Sequence, residues 1–212
     1  MIEPAHLGAT RASYDAVAET YAERFAEGLA RHPLPRLLLR AFAEQVLAAG
    51  GGPVLDAGCG PGHVTASLAG HGLDMSGIDL SPRMIAIARR TYPHLRFEVG
   101  SLSAIDAPDG WYAGLVASWS IFHLPPAELP AAFAGFRRVL RPGGHLILGF
   151  HAGDERLTPV ESYGHPVTYE AYLLPPTTVA AWLTDAGFTV TTRLDETPPS
   201  KRPQAMLMAT AA

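Results

Sequence analysis

Short apolar runs of strand length alternate with helical segments along this chain, which predicts an α/β fold: a mainly parallel sheet with helices on both faces. Two further observations carry that prediction: a glycine-dense loop follows the first apolar run, and an acidic residue closes the second. The 212 residues suffice for one domain (1–212) with a full core, and 48% hydrophobic and 17% charged residues are values typical of a globular protein. We find no internal repeat and no linker that would divide it.

The elements follow in order. Tyr14, Val17, Tyr21, Phe25 and Leu29 recur at helical spacing, so residues 9–29 read as a first helix. Residues 35–49 form a second, after the Pro33/Pro35 break and before the stop at Gly50-Gly51-Gly52. Apolar runs at 54–55, 73–78, 95–99, 111–119 and 145–150 are strand candidates, most of them leading through a turn into a helix. Two more candidates, 188–194 and 204–209, follow a helix that begins near Pro176. Residues 151–174 break the rhythm, being longer than most connections in such folds. With Tyr163, Gly164, His165 and Pro166, then Val167, Tyr169 and Tyr172, this stretch reads as a small β-arm over the site or as a homodimer contact.

Composition narrows the partners. The formal net charge of −4 gives no basic field to hold a phosphate backbone, so nucleic acid is not expected, and the nine histidines are scattered. Cys59 is the single cysteine, so no internal disulfide is possible. No signal-like start and no membrane-length apolar run is seen, which predicts a cytoplasmic protein without membrane contact. Lys201 is the only lysine and asparagine is absent, a bias fitting a GC-rich genome; it removes a lysine Schiff base near the site and any asparagine metal ligand.

The most informative residues are Val54-Leu55-Asp56-Ala57-Gly58-Cys59-Gly60-Pro61-Gly62, a strand running into a loop with glycine at every second place. Dinucleotide enzymes also carry a glycine loop there, but with GxGxxG spacing suited to a pyrophosphate on a helix N-terminus. Here the spacing is GxGxG, and Asp56 directly before it would repel pyrophosphate while suiting an ammonium group. S-adenosyl-L-methionine has that group and no phosphate. In Gly77-Ile78-Asp79-Leu80-Ser81, Asp79 closes the second strand where a carboxylate grips a ribose diol, with Leu80 and Met84 as an apolar floor for adenine. Ser81 before Pro82 is the better helix cap.

Asp56 to Gly62, Gly77 to Ser81, and Arg138-Val139-Leu140-Arg141-Pro142-Gly143-Gly144 resemble three signature blocks of the class I (Rossmann-like) S-adenosylmethionine-dependent methyltransferases. The stretch Tyr14-Asp15-Ala16-Val17-Ala18-Glu19-Thr20-Tyr21 is similar to the helix that covers the cofactor in the family's small-molecule members. The resemblance runs from about Tyr14 to Ala209 and implies a three-layer sandwich: a seven-stranded, mostly parallel sheet with an antiparallel last strand. It further implies S-adenosyl-L-methionine as cofactor, S-adenosyl-L-homocysteine as product, and residues 1–49 as a helical lid. Gly58 and Gly60 would approach the cofactor, with Leu102 and Ser118 beside it. The family commonly has an acidic residue where Ser101 stands, to hold the adenine amino group; a serine hydroxyl accepts that bond more weakly.

Methyl transfer from a sulfonium needs alignment and exclusion of water, and a base only where the acceptor must lose a proton. After the fourth strand comes Ala117-Ser118-Trp119-Ser120-Ile121-Phe122-His123, where a parallel sheet opens its ligand crevice. His123 is either the base or a histidine that only hydrogen-bonds its loop. Tyr14 and Tyr21, seven apart, share a helix face and are lid candidates. Trp119, Tyr163 and His165 are candidates for the acceptor pocket. Cys59 reads as an apolar filler.

The same residues exclude other chemistries. No cysteine stands where a cytosine carbon methylase needs one, and the turn after the fourth strand lacks the Pro-Pro-aromatic sequence of base-amine methylases. Without asparagine, a catechol-type magnesium site is not expected, so no metal is. The expected function is methyl transfer to oxygen, nitrogen or sulfur of a small-molecule acceptor. A protein that binds the cofactor without transferring methyl is the alternative, and an NAD-dependent oxidoreductase a more distant one.

Overall fold

The computed structural model describes residues 4–26, 33–198 and 202–212; Leu29 and Lys201 lie outside the described residues. Five strands come first: β1 (Pro53–Ala57), β2 (Asp74–Asp79), β3 (Arg96–Val99), β4 (Tyr112–Ser118) and β5 (Leu140–His151). Four two-residue strands follow, β6 (Arg156–Leu157), β7 (Glu161–Ser162), β8 (His165–Pro166) and β9 (Ala171–Tyr172), then β10 (Phe188–Glu196) and β11 (Gln204–Ala211). The helices are α1 (Ala5–Phe25), α2 (Pro33–Ala48), α3 (His63–Gly70), α4 (Pro82–Thr91), α5 (Leu129–Val139) and α6 (Pro176–Asp185).

One seven-stranded sheet runs in the order β10-β11-β5-β4-β1-β2-β3, with β11 antiparallel to both neighbours and β1 to β5 parallel. This is the Rossmann-like methyltransferase architecture the sequence resemblance implies. β1 pairs with β2 on one side and β4 on the other, so the chain reverses its winding there and leaves a crevice beyond the ends of β1 and β4.

Burial on both faces explains the apolar runs. Along β5, Leu146 and Leu148 pack with Phe133, Phe136 and Leu183 of α5 and α6, while Ile147 turns to Phe42, Val46 and Leu68 of α2 and α3. β5 starts earlier than the predicted 145 because Leu140 already pairs with Tyr112, before a register shift that ends at Gly114. The turn at Arg141-Pro142-Gly143-Gly144, with Gly143 at φ +73°, lies within that longer element.

α4 starts as predicted: Ser81 Oγ accepts from Met84 N at 3.1 Å, with Pro82 in the first turn. α1 docks on that start. Asp15 Oδ1 accepts from Ser81 Oγ at 2.6 Å and from Arg83 N at 3.1 Å. The arm 151–174 closes on α1 from the other side: Thr168 N donates to Ser13 Oγ at 2.9 Å, and Tyr169 stacks on Tyr14 at 5.7 Å between centroids. Its short antiparallel pairs, β6 with β9 and β7 with β8, therefore lie over the crevice.

Candidate active site

The crevice holds a cavity of about 400 Å³, bordered by the glycine loop, the ends of β2, β4 and β5, and α1. At its loop end, Gly58 N and Cys59 N both donate to the carbonyl of Ile78, at 2.8 and 2.9 Å, which fastens the loop to β2. Gly58 is glycine for two reasons: its φ is +84°, and a Cβ would stand 2.3 Å from Cβ of Ser120. Ser120 Oγ donates to the Ala57 carbonyl at 2.8 Å, closing the same corner. At Gly60, φ +54°, a Cβ would meet nothing within 4 Å, so this residue bares its backbone to the cavity.

Two carboxyl groups face this end. Asp56, 1% exposed, accepts at Oδ2 from Thr65 Oγ1 at 2.7 Å, while its buried Oδ1 has no partner among the described residues. Burial raises its pKa to about 7, against the lowering effect of the Thr65 bond. Asp79 accepts from Ser81 N at 2.8 Å and from Gly60 N at 2.9 Å. Burial raises it to about 6, and those two amides pull the other way. Asp79 thus shapes the loop and still has oxygen lone pairs to offer.

An orphaned, desolvated carboxyl oxygen beside a bared backbone suits a cationic ligand, whose charge would restore the ionised form. A second carboxylate stands ready for hydroxyls. These residues fit the S-adenosylmethionine that the sequence resemblance implies.

The other expected cofactor residues border the same cavity. Leu80, Met84, Ser101, Leu102 and Ser118 all line it. Met84 packs under Tyr14 and Tyr21. Ser101 Oγ shares a hydrogen bond with Ser103 Oγ at 2.8 Å.

At the far end stands a linked set of rings. Tyr14 Oη lies 2.7 Å from His123 Nε2, and His123 Nδ1 lies 3.0 Å from the Glu170 carbonyl. A carbonyl only accepts, so Nδ1 carries the proton and Nε2 receives the tyrosine's. Burial, above all, lowers the His123 pKa to about 4 and raises that of Tyr14, so both stay neutral near pH 7. Trp119 borders the cavity with φ +56°, its backbone N–H donating to Gly149 O at 2.7 Å. Tyr163, φ +53°, meets Tyr21 edge-on at 5.3 Å and carries the Arg24 guanidinium 5.7 Å above its ring.

His165 lies elsewhere. It does not border the cavity; its Nε2 lies 3.1 Å from Thr20 Oγ1, so it ties the arm to α1 instead. Sequence reasoning missed His63, Phe122 and His151, all of which line the cavity. For His151 a signal existed, because it closes β5 at the same sheet edge where His123 follows β4.

Comparison with known proteins points to the same fold. A family model described as a methyltransferase domain matches residues 54–144, from β1 to the start of β5. An uncharacterized methyltransferase of Synechocystis is 31% identical over 144 residues, covering 66% of this chain and 68% of the relative. Demethylmenaquinone methyltransferase of Beutenbergia cavernae is 33% identical over 115 residues, covering 54% of this chain and 47% of the relative. The chain spans about half the length of that relative and of a malonyl-[acyl-carrier protein] O-methyltransferase of Serratia marcescens, to which it is 28% identical over 137 residues. Among solved structures, magnesium protoporphyrin IX methyltransferase of Synechocystis, with bound S-adenosylmethionine, superposes with a TM-score of 0.74 over 100% of both chains at 17% identity.

Proposed function

The chain belongs to the class I S-adenosylmethionine-dependent methyltransferases, and on that footing we propose that it moves a methyl group onto oxygen, nitrogen or sulfur of a small-molecule acceptor. Specialised metabolism in the cytoplasm is the setting we propose for it. One observation carries the reading. The hydrogen-bonded Tyr14–His123 pair borders the same cavity as Asp56 and Asp79, so a proton acceptor and a cation site share one enclosed space.

Asp56 receives the ammonium group, and Asp79 the ribose hydroxyls. Gly58 and Gly60 let the backbone close on the ligand. Leu80 and Met84 flank the adenine, with Ser101 and Leu102 at its edge, and Ser118 and Tyr14 face the sulfonium end. When bound, S-adenosylmethionine supplies an electrophilic methyl group on a good leaving group. The residues at the far end govern the acceptor's proton. For a hydroxyl acceptor, as the methyl carbon exchanged its bond to sulfur for one to oxygen, the acceptor's O–H proton would pass to Tyr14 Oη while Tyr14's own passed to His123 Nε2. His123 keeps its Nδ1 proton on the Glu170 carbonyl throughout, which holds the ring in place. α1 and the arm exclude water.

The test follows label from methyl-labelled S-adenosylmethionine into a fractionated small-molecule extract of the source cells. Label in one discrete metabolite supports transfer and identifies the acceptor. Tight cofactor binding with no labelled product from a broad acceptor panel would favour binding without transfer.

A further inference from the structure

The acceptor end of the cavity contains a pair that the proton chemistry does not use. Trp119 holds a backbone conformation that L-residues rarely adopt, φ +56°, at the mouth of β4. Its indole sits on Gly149 of β5, where a Cβ would come within 2.4 Å of Cζ3, so the strand is stripped at that point to seat the ring. His151, two residues further along the same strand, stacks on the indole with centroids 6.1 Å apart and planes 26° apart. Strain of this kind persists only where neighbours enforce it, and it collects at ligand-contacting positions.

The surroundings define what the pair can hold. His151 and His123 both pack against the Phe122 ring, at 5.0 and 4.3 Å, so the stacked pair stands close to the proton acceptor. The Nδ1 atom of His151 is buried and has no hydrogen-bond partner among the described residues. Tyr21, Phe25 and Tyr163 border the same cavity as a second set of rings, with Tyr21 packed on Met84. The β4 and β5 residues here carry no Asp, Glu, Lys or Arg, while Arg24 borders the cavity beside Tyr163 and Arg202 stands near enough to act on His151. A stacked indole and imidazole with one unsatisfied nitrogen suits a flat ring system with a polar substituent.

We propose that the stacked Trp119–His151 pair is the acceptor-recognition wall, and that the acceptor is a planar aromatic molecule whose second hydrogen-bonding group, distinct from the methylated one, is met by His151. This rests on the methyl-transfer reading above. Trp119 supplies the stacking face, and His151 selects among flat molecules.

The test is calorimetry on the full chain saturated with S-adenosylhomocysteine, using three probes: 2-naphthol, decahydro-2-naphthol and 2,6-dihydroxynaphthalene. Flat 2-naphthol should bind at least about tenfold tighter than its saturated counterpart, and the second hydroxyl should add about threefold to tenfold. Trp119→Gly, which suits the backbone conformation, should abolish the preference for the flat probe while leaving S-adenosylhomocysteine affinity within about twofold. His151→Phe keeps a stacking ring, so it should keep 2-naphthol and lose only the gain from the second hydroxyl. Equal affinity for flat and saturated probes, with S-adenosylhomocysteine bound, overturns this inference and leaves methyl transfer standing. Failure of S-adenosylhomocysteine to bind the unaltered protein overturns both.

Discussion

Tyr14 Oη donates to His123 Nε2 across 2.7 Å, joining the helix that covers the site to the turn that follows β4. The bond requires a neutral imidazole protonated on Nδ1, which the Glu170 carbonyl at 3.0 Å enforces. In the transfer we propose, an acceptor's proton leaves through this pair.

The first prediction concerns that pair. With a hydroxyl acceptor, Tyr14→Phe and His123→Ala should each lower kcat by roughly 10²-fold, and the double variant little further, since the two act as a unit. His123, lowered to about 4 by burial, is already unprotonated near neutrality. The acid limb of kcat should therefore lie well below pH 6.5, nearer pH 4. Full turnover in Tyr14→Phe, or multiplying losses in the double variant, would separate the two residues.

A second prediction follows from the carboxyl groups. Burial raises Asp56 to about 7 and Asp79 to about 6, so the ligand-free protein holds protons there that the unfolded chain releases near pH 4. The sign is that of raised acids: their contribution to stability is fully present below pH 4 and is lost as pH rises through 6 to 7. An ammonium group beside Asp56 reverses the shift. S-adenosylhomocysteine binding at pH 6.5 should release protons, and the release should fade above pH 8. Calorimetry in two buffers of different ionisation enthalpy reads this directly. Proton uptake, or none, would move the ammonium away from Asp56.

Asp79 holds the loop as well as the ligand, which gives a third prediction. Asp79→Asn replaces one acceptor oxygen by a donor, so either Gly60 N or Ser81 N loses its partner. Losing a charge-assisted bond costs about 1.5–3 kcal/mol, which corresponds to roughly ten- to a hundredfold weaker S-adenosylhomocysteine binding. Fluorescence titration of the variant checks it, and unchanged affinity would remove Asp79 from the ligand.

What was legible in the sequence, and what was not, divides by range. The glycine loop, Asp56 and Asp79 could be read because local backbone geometry demands those residue types at short spacing. Tyr14 could be read as facing inward because it shares a helix face with Tyr21, but nothing local says that its hydroxyl meets a histidine 109 residues away. The arm could be read only as one of two things, a small β-arm or a homodimer contact, for the same reason. Its strands are two residues long, and the arm is held by distant bonds to α1, such as Thr168 N to Ser13 Oγ, so no periodicity announces them. His165 looked like pocket lining because it stands near Tyr163, but Tyr163 and Gly164 form a turn, at φ +53° and +78°, so the chain changes direction before His165. His151 was overlooked because it ends a strand that otherwise reads as plain core.

The last prediction asks whether α1 opens. Asp15 Oδ1 is the single acceptor shared by Ser81 Oγ and Arg83 N, at 2.6 and 3.1 Å, and Ser81 is itself fully buried at the start of α4. The neighbouring Glu19–Arg90 pair is exposed and adds little. Asp15→Ala should therefore weaken the α1–α4 contact by about 1–2 kcal/mol, while removing no side chain that lines the cavity. Amide exchange in α1 should quicken roughly five- to thirtyfold while that of α4 beyond its first turn holds. If α1 is a lid, S-adenosylhomocysteine should dissociate faster by a similar factor, because the helix opens independently of the sheet. Faster exchange with an unchanged dissociation rate would mean that the ligand leaves by another route and that α1 only packs against the site.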